Sequence, residues 1–336
     1  MRRILFEEKG MALLITIMVI SLLIVVTMQF GRNMRRQLVS AANLKDNIAL
    51  DAITRSGMNM AIELIDLDSK INTFDSYHDI WGKISGQDLS SLFEQGTLKL
   101  TVSDLSGRLQ VNSLVSSKAD GGVDAATAEK MRQILKRLLL SGNFALSGEN
   151  NAQEIIDALV EWMSPVDPES NLETKDSYYG SPEHPYGCKH GPVSTLEELL
   201  LARGISPELL YGNTEHLGLA QFLTAQGNNG KININTADPL LLQAIDSQMT
   251  PELAKYMVEY REQENNTESL LTITWYKQIP SWPIDVSLDT QLITTQSSYF
   301  MITAIGELDT LKRKRTAIVH RSQDNKGMSL LSMKVD

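Results

Sequence analysis

The stretch richest in side chains that could hold a ligand is the acidic loop between Pro165 and Gly191, which carries Asp167, Glu169, Glu173, Asp176 and Glu183 beside Tyr178 and Tyr179. Several carboxylates in one polar loop suit a hard cation such as calcium, which takes about 6–8 oxygen ligands. The plain alternative is a solvated acidic loop. In the same loop His184, Cys188 and His190 stand close enough to suggest a soft-metal set, but no fourth ligand is evident, and three such residues in one loop are more often coincidence. No nucleophile stands beside a base in a recognisable local context, and no glycine-rich loop is built to cradle a phosphate. Both absences point away from an enzyme. The net charge of −10 argues against a large nucleic-acid surface and against broad contact with anionic lipid. The single cysteine, Cys188, excludes an intrachain disulfide framework.

The elements that must position this loop hang from one segment, Met11 to Phe30, twenty residues without a charge. At ~1.5 Å per residue it is long enough to cross a bilayer core of ~30 Å. It is longer than the apolar region of a secretory signal, and the nearest small-residue cleavage site, Val39 Ser40 Ala41, lies beyond Arg32, Arg35 and Arg36. Helical spacing continues through Met34, Leu38, Ala41, Ile48, Ala52, Ile53, Ala61, Leu64 and Ile65, and no proline occurs before Pro165. One helix from about Met11 to about Asp68, roughly 85 Å long, is predicted. Gly31 and Gly57 would each weaken it by ~1 kcal/mol relative to alanine.

From Ile71 to Gln95 the periodicity is lost, with Trp81 and Phe93 as expected core anchors. Alternation then places Leu98, Leu100 and Val102 on one face; Asp104 Leu105 Ser106 Gly107 is turn chemistry; Leu109 and Val111 resume the alternation. A β-hairpin over 97–112 is predicted. Amphipathic helices follow at Ala125 to Leu140 and Ala152 to Met163, the second stopped by Pro165. Two related helix-turn-helix units come next, Thr195 to Ala202 with Ser206 Pro207 Glu208 Leu209, and Thr236 to Ile245 with Thr250 Pro251 Glu252 Leu253. Each opens on a threonine N-cap. Such hairpins can bind phosphate through glycine-rich turns, but Ala202 Arg203 Gly204 Ile205 and Asp246 Ser247 Gln248 Met249 hold one glycine and little positive charge, which favours packing units. Strands are expected at Tyr299 to Gly306 and Lys314 to Arg321, around a turn at Glu307 to Leu311, with a mobile tail from Gln323. The helical block is bracketed by strands, so an insertion into one small α+β domain is the economical arrangement.

The ordered set of motifs resembles a known family. The leader Arg2 Arg3 Ile4 Leu5 Phe6 Glu7 Glu8 Lys9 Gly10 looks like the signal of type IV pilins and type II secretion pseudopilins. Ser103 to Leu114, Trp162, Tyr178 Tyr179, Gly191 Pro192, Leu196 Glu197 Glu198 Leu199 and Ile232 Asn233 Ile234 Asn235 Thr236 Ala237 occur in the order of the general secretion pathway protein K family, the large minor pseudopilins. The resemblance implies cleavage between Gly10 and Met11 by a prepilin peptidase, N-methylation of Met11, and a bacterial inner-membrane protein with its main domain in the periplasm. Pilins generally carry glutamate at mature position five; here that position is Ile15, as in this family.

The fold it implies is α+β: a leader over 1–10, the membrane part of the helix over 11–30, and periplasmic helix with first strands over 31–112. An all-α insertion of helix-hairpin (SAM-like) units over 113–279, C-terminal strands over 280–325 and a tail over 326–336 follow. Implied partners are other minor pseudopilins, the major pseudopilin, the secretion apparatus and exported proteins, at the tip of a short filament; an anchored adaptor outside any filament is the alternative. The family's calcium ligands follow the tryptophan and precede the paired tyrosines. Ser164, Val166 and Lys175 depart from that pattern, which leaves Asp167, Glu169 and Asp176 as the implied ligands.

Overall fold

A computed structural model describes residues 8–117, 122–146, 148–165, 179, 186–322 and 327–336, with Glu8, Lys9 and Asn150 described by backbone alone. Helix α1 runs from Glu8 to Ile71, 64 residues, or about 96 Å. Its surface is exposed from Gly10 through Lys45, after which Leu50, Ile53, Thr54, Gly57, Met58, Ala61, Ile65 and Asp68 are buried at spacings of three and four. That stripe is the helix face that packs on a sheet.

The sheet is antiparallel, in the order β1 (Thr97–Asp104), β6 (Tyr299–Leu308), β7 (Leu311–Arg321), β8 (Met328–Val335). Alternate residues of its strands, among them Leu98, Leu100, Val102, Phe300, Ile302, Ala304, Ala317 and Val319, share one core with the α1 stripe and the fully buried Trp81. Trp81 lies on the short helix α2 (Ile80–Ile84), and Phe93 packs at the edge of the same core. Across the face, Arg313 and Arg315 of β7 reach Asp51 of α1 at 3.2 and 2.6 Å.

Two expectations are corrected here. No hairpin forms over 97–112: β1 pairs with β6 from Thr97↔Glu307 to Asp104↔Phe300, and Leu109–Gln110 (β2) pairs in parallel with Leu223–Thr224 (β3). The chain leaves the sheet because Asp104 occupies the inward position after Leu98, Leu100 and Val102, where its carboxylate takes partners from distant loops. The second correction is the tail, since Met328 to Val335 form edge strand β8 on β7.

A second core gathers helices α3 (Ala125–Leu139) and α4 (Glu149–Met163), α5 (Pro207–Tyr211), α6 (Pro239–Ile245) and α7 (Pro251–Arg261). It draws residues from Leu109 to Ile293, wider on both sides than 113–279. Nor is it wholly helical, for β3 and the parallel pair β4 (Ile232–Asn233) with β5 (Ile293–Thr294) lie within it. The first hairpin unit begins with a 3-10 helix, Leu196–Leu201, and Thr195 makes no capping bond, whereas Ser206 and Thr250 accept from Leu209 N and Leu253 N. Thr236 is not a cap either: α6 starts at Pro239, and Asp238 caps it. Gly306 lies near Leu50 and Thr54 of α1, while Ser297 bonds Asp75 beyond the end of α1. The helical body therefore leaves the sheet at the end away from the exposed apolar half of α1.

Gly57 fits this packing, because a Cβ there would lie 2.7 Å from Leu98 Cδ2. Leu98 is itself buried, so Gly57→Val is expected to destabilise the domain by about 1–3 kcal/mol despite removing a helical glycine. Urea denaturation followed by circular dichroism measures this; equal or greater stability would mean that Leu98 can yield.

Candidate functional site

Two regions carry the features from which function can be argued, the exposed half of α1 and a buried polar junction between the two cores. Among the described residues α1 is the one helix long and apolar enough to cross a membrane, with mean hydropathy 2.8 over its most apolar window. Thr16, Ser21 and Thr27 return their hydroxyls to carbonyls three or four residues back, at 2.8–2.9 Å, which satisfies them without water. Gly10 and Met11 stand at its exposed start, and Ile15 is 61% exposed.

Asp167, Glu169 and Asp176, like Glu173, Tyr178, Glu183 and His184, lie outside the described residues. What flanks them is ordered around Trp162, whose indole N–H donates to Glu198 at 3.0 Å and whose ring meets Tyr179 and Tyr186 at 5.5 and 6.2 Å. Glu198 also accepts from Lys189 and from Ser194 N. The tryptophan, tyrosine and Leu-Glu-Glu-Leu motifs thus form one packed unit. Cys188 Sγ lies 3.5 Å from Glu161 O and His190 Nδ1 3.2 Å from Ser164 O, both near the end of α4.

The junction is built by the other motifs. Asp104 is buried where β1 ends; one carboxylate oxygen accepts from Ser106 N at 2.7 Å, the other from Asn233 Nδ2 at 3.2 Å, Thr236 Oγ1 at 2.5 Å and Ser297 Oγ at 2.5 Å. Burial pushes this carboxyl above its ordinary range, and the serine and threonine hydroxyls work against that rise. Asn235 donates to Asp75 O and Leu270 O and accepts from Trp275 Nε1 at 2.7 Å. Asn233 and Asn235 therefore alternate with the buried Ile232 and Ile234: the isoleucines fill the helical core while the asparagines bond to neighbouring loops. Asp75 accepts from Ser297 N at 2.7 Å and pairs with Arg321 of β7. In the 104–112 motif, Ser106 Oγ accepts from Ser298 N, and Asn112 bridges Val193 O and Ala225 O at 2.9 and 2.8 Å. No motif taken singly reveals this network. The available signal was Asp104, an acid at a position where alternation calls for an apolar residue.

Such an arrangement can fix two bodies to one another and to the long apolar helix α1. The family model of type II secretion system (T2SS), protein K, matches residues 107–213. No curated protein sequence matches the chain. Among solved structures, a chain of the GspK-GspI-GspJ complex from the enterotoxigenic Escherichia coli Type 2 Secretion System shares the fold. The TM-score is 0.62 at 15% identity, over 88% of this chain and 99% of that one.

Proposed function

We propose that this chain, which the family model of type II secretion system protein K matches over residues 107–213, belongs to that family and works as a minor pseudopilin at the tip of a secretion filament. On this reading the apolar half of α1 anchors it once in the inner membrane, with the packed domain in the periplasm. Its role is structural, and its neighbours are the counterparts of GspI and GspJ, with the major pseudopilin below. The supporting observation is the placement of the helical body at the sheet end away from the exposed half of α1. A subunit so topped leaves little room for another stacked above it. Ile15 supports the same reading. A carboxylate in hydrocarbon costs ~2.5–3.5 kcal/mol on insertion scales and is kept only where it finds a partner. In pilins the glutamate at this position is thought to meet the N-terminal amine of a neighbouring subunit, a contact Ile15 cannot make.

Gold labelling along assembled filaments tests the position. The unmodified protein is expected at one end only, and Ile15→Glu is expected to move a measurable share of label into the shaft. Label repeated along the shaft for the unmodified protein would overturn the tip assignment.

A further inference from the structure

Where α1 ends, Asp68, Asp75 and Asp79 each place a carboxylate oxygen within 4.8 Å of the others. They are 0, 1 and 5% exposed. Asp68 lies in the last turn of the helix, Asp75 in the segment that follows, and Asp79 at the N-cap of α2. We propose that they form a site for calcium or a similar hard divalent cation, distinct from the acidic loop.

The first support is the state of their oxygens. Asp68 Oδ1 accepts from Asn72 at 2.9 Å, Asp79 Oδ2 from Ser76 N at 2.7 Å, and Asp75 Oδ2 from Ser297 N and Arg321. Asp68 Oδ2 and Asp75 Oδ1, both buried, have no hydrogen-bond partner. A buried polar atom without a partner is costly, and a carboxylate oxygen more so. One ion between the carboxylates would satisfy both.

Charge gives the second support. Three carboxylates face one directly paired cation, Arg321, so the ionised cluster has two negative charges in excess, the charge a divalent cation neutralises. Beside the cluster lies a cavity of about 190 Å³ lined by Asn72, Asp75, Ser297 and Arg321. It offers entry and room for the waters that would bring the coordination to the usual ~6–8 oxygens. An ion here would tie α1 to α2 and hold Asp75, whose carbonyl bonds both Asn233 and Asn235. The site would thus stiffen the junction between sheet and helical body.

The test uses the full chain in detergent, stripped of metal, with Asp167→Asn, Glu169→Gln and Asp176→Asn combined so that the acidic loop does not contribute. Calorimetric titration with calcium is expected to show one ion per chain and a melting temperature raised by several degrees at saturation. Adding Asp68→Asn should abolish both, and Asp79→Asn should weaken binding at least tenfold. A folded loop-substituted chain that takes up no calcium overturns the site, as does uptake that Asp68→Asn leaves unchanged. Should Asp68→Asn fail to fold, terbium serves in the loop-substituted chain: emission sensitised through Trp81, lost in Trp81→Phe and displaced by calcium, supports the site, and its absence rejects it.

Discussion

Gly10→Val is expected to leave the leader attached when the chain is coexpressed with a prepilin peptidase, whereas the unmodified chain yields a product beginning at N-methylated Met11. The substitution isolates recognition from folding. A Cβ at Gly10 would meet nothing within 4 Å, so nothing in the packing requires glycine there, and α1 should form equally well with valine. Only an enzyme that reads the residue before the cut would be affected by the branched side chain. Intact-mass analysis distinguishes the outcomes: a valine variant still starting at Met11, or an unmodified chain that stays uncut or is cut near Ala41, removes the processing model and with it the reason to count Ile15 as position five.

Local periodicity made much of the fold legible, and its failures share one cause. The α1 stripe from Leu50 to Asp68 repeats at three and four, and α3 and α4 repeat likewise, because each residue's burial follows from its own neighbours along the helix. The 97–112 hairpin failed because Asp104 Leu105 Ser106 Gly107 has the composition of a tight turn, while the strand that pairs with β1 begins at Tyr299. Edge strand β8 was unreadable for another reason. Leu330, Leu331, Met333 and Val335 are about half exposed, so its order comes from main-chain bonding to β7, which side-chain patterns do not encode. Thr236 has the local setting of a helix cap, whereas the acceptor of its hydroxyl lies 132 residues away. Asp68 resembles Asp104 in this respect, an acid on the inward stripe of a helix instead of a strand. In both, the mismatch between residue type and position was visible before its meaning was.

Asp104→Ala is expected to be the most damaging single substitution in the packed domain, costing roughly 3–5 kcal/mol out of a typical 5–15. The loss exceeds that of one hydrogen bond because four donors converge on this carboxylate. Without it, Ser106 N loses the acceptor that turns the chain out of β1, and the hydroxyls of Thr236 and Ser297 lose theirs in a dry interior. Asn233 keeps Asp75 O and Ser297 Oγ, at 3.2 and 2.7 Å, so the helical body should loosen from the sheet before it unfolds. Asp104→Asn should cost less, because rotating a hydroxyl can satisfy one amide hydrogen, yet it places donors where donors already point. The expected order of melting temperatures is therefore aspartate, asparagine, alanine. Hydrogen exchange at Asn233 to Ala237 should rise in the same order, with exchange in α3 unchanged in asparagine. If alanine melts with the unmodified protein, the junction is held by its apolar contacts, and Asp104 is a passenger in it.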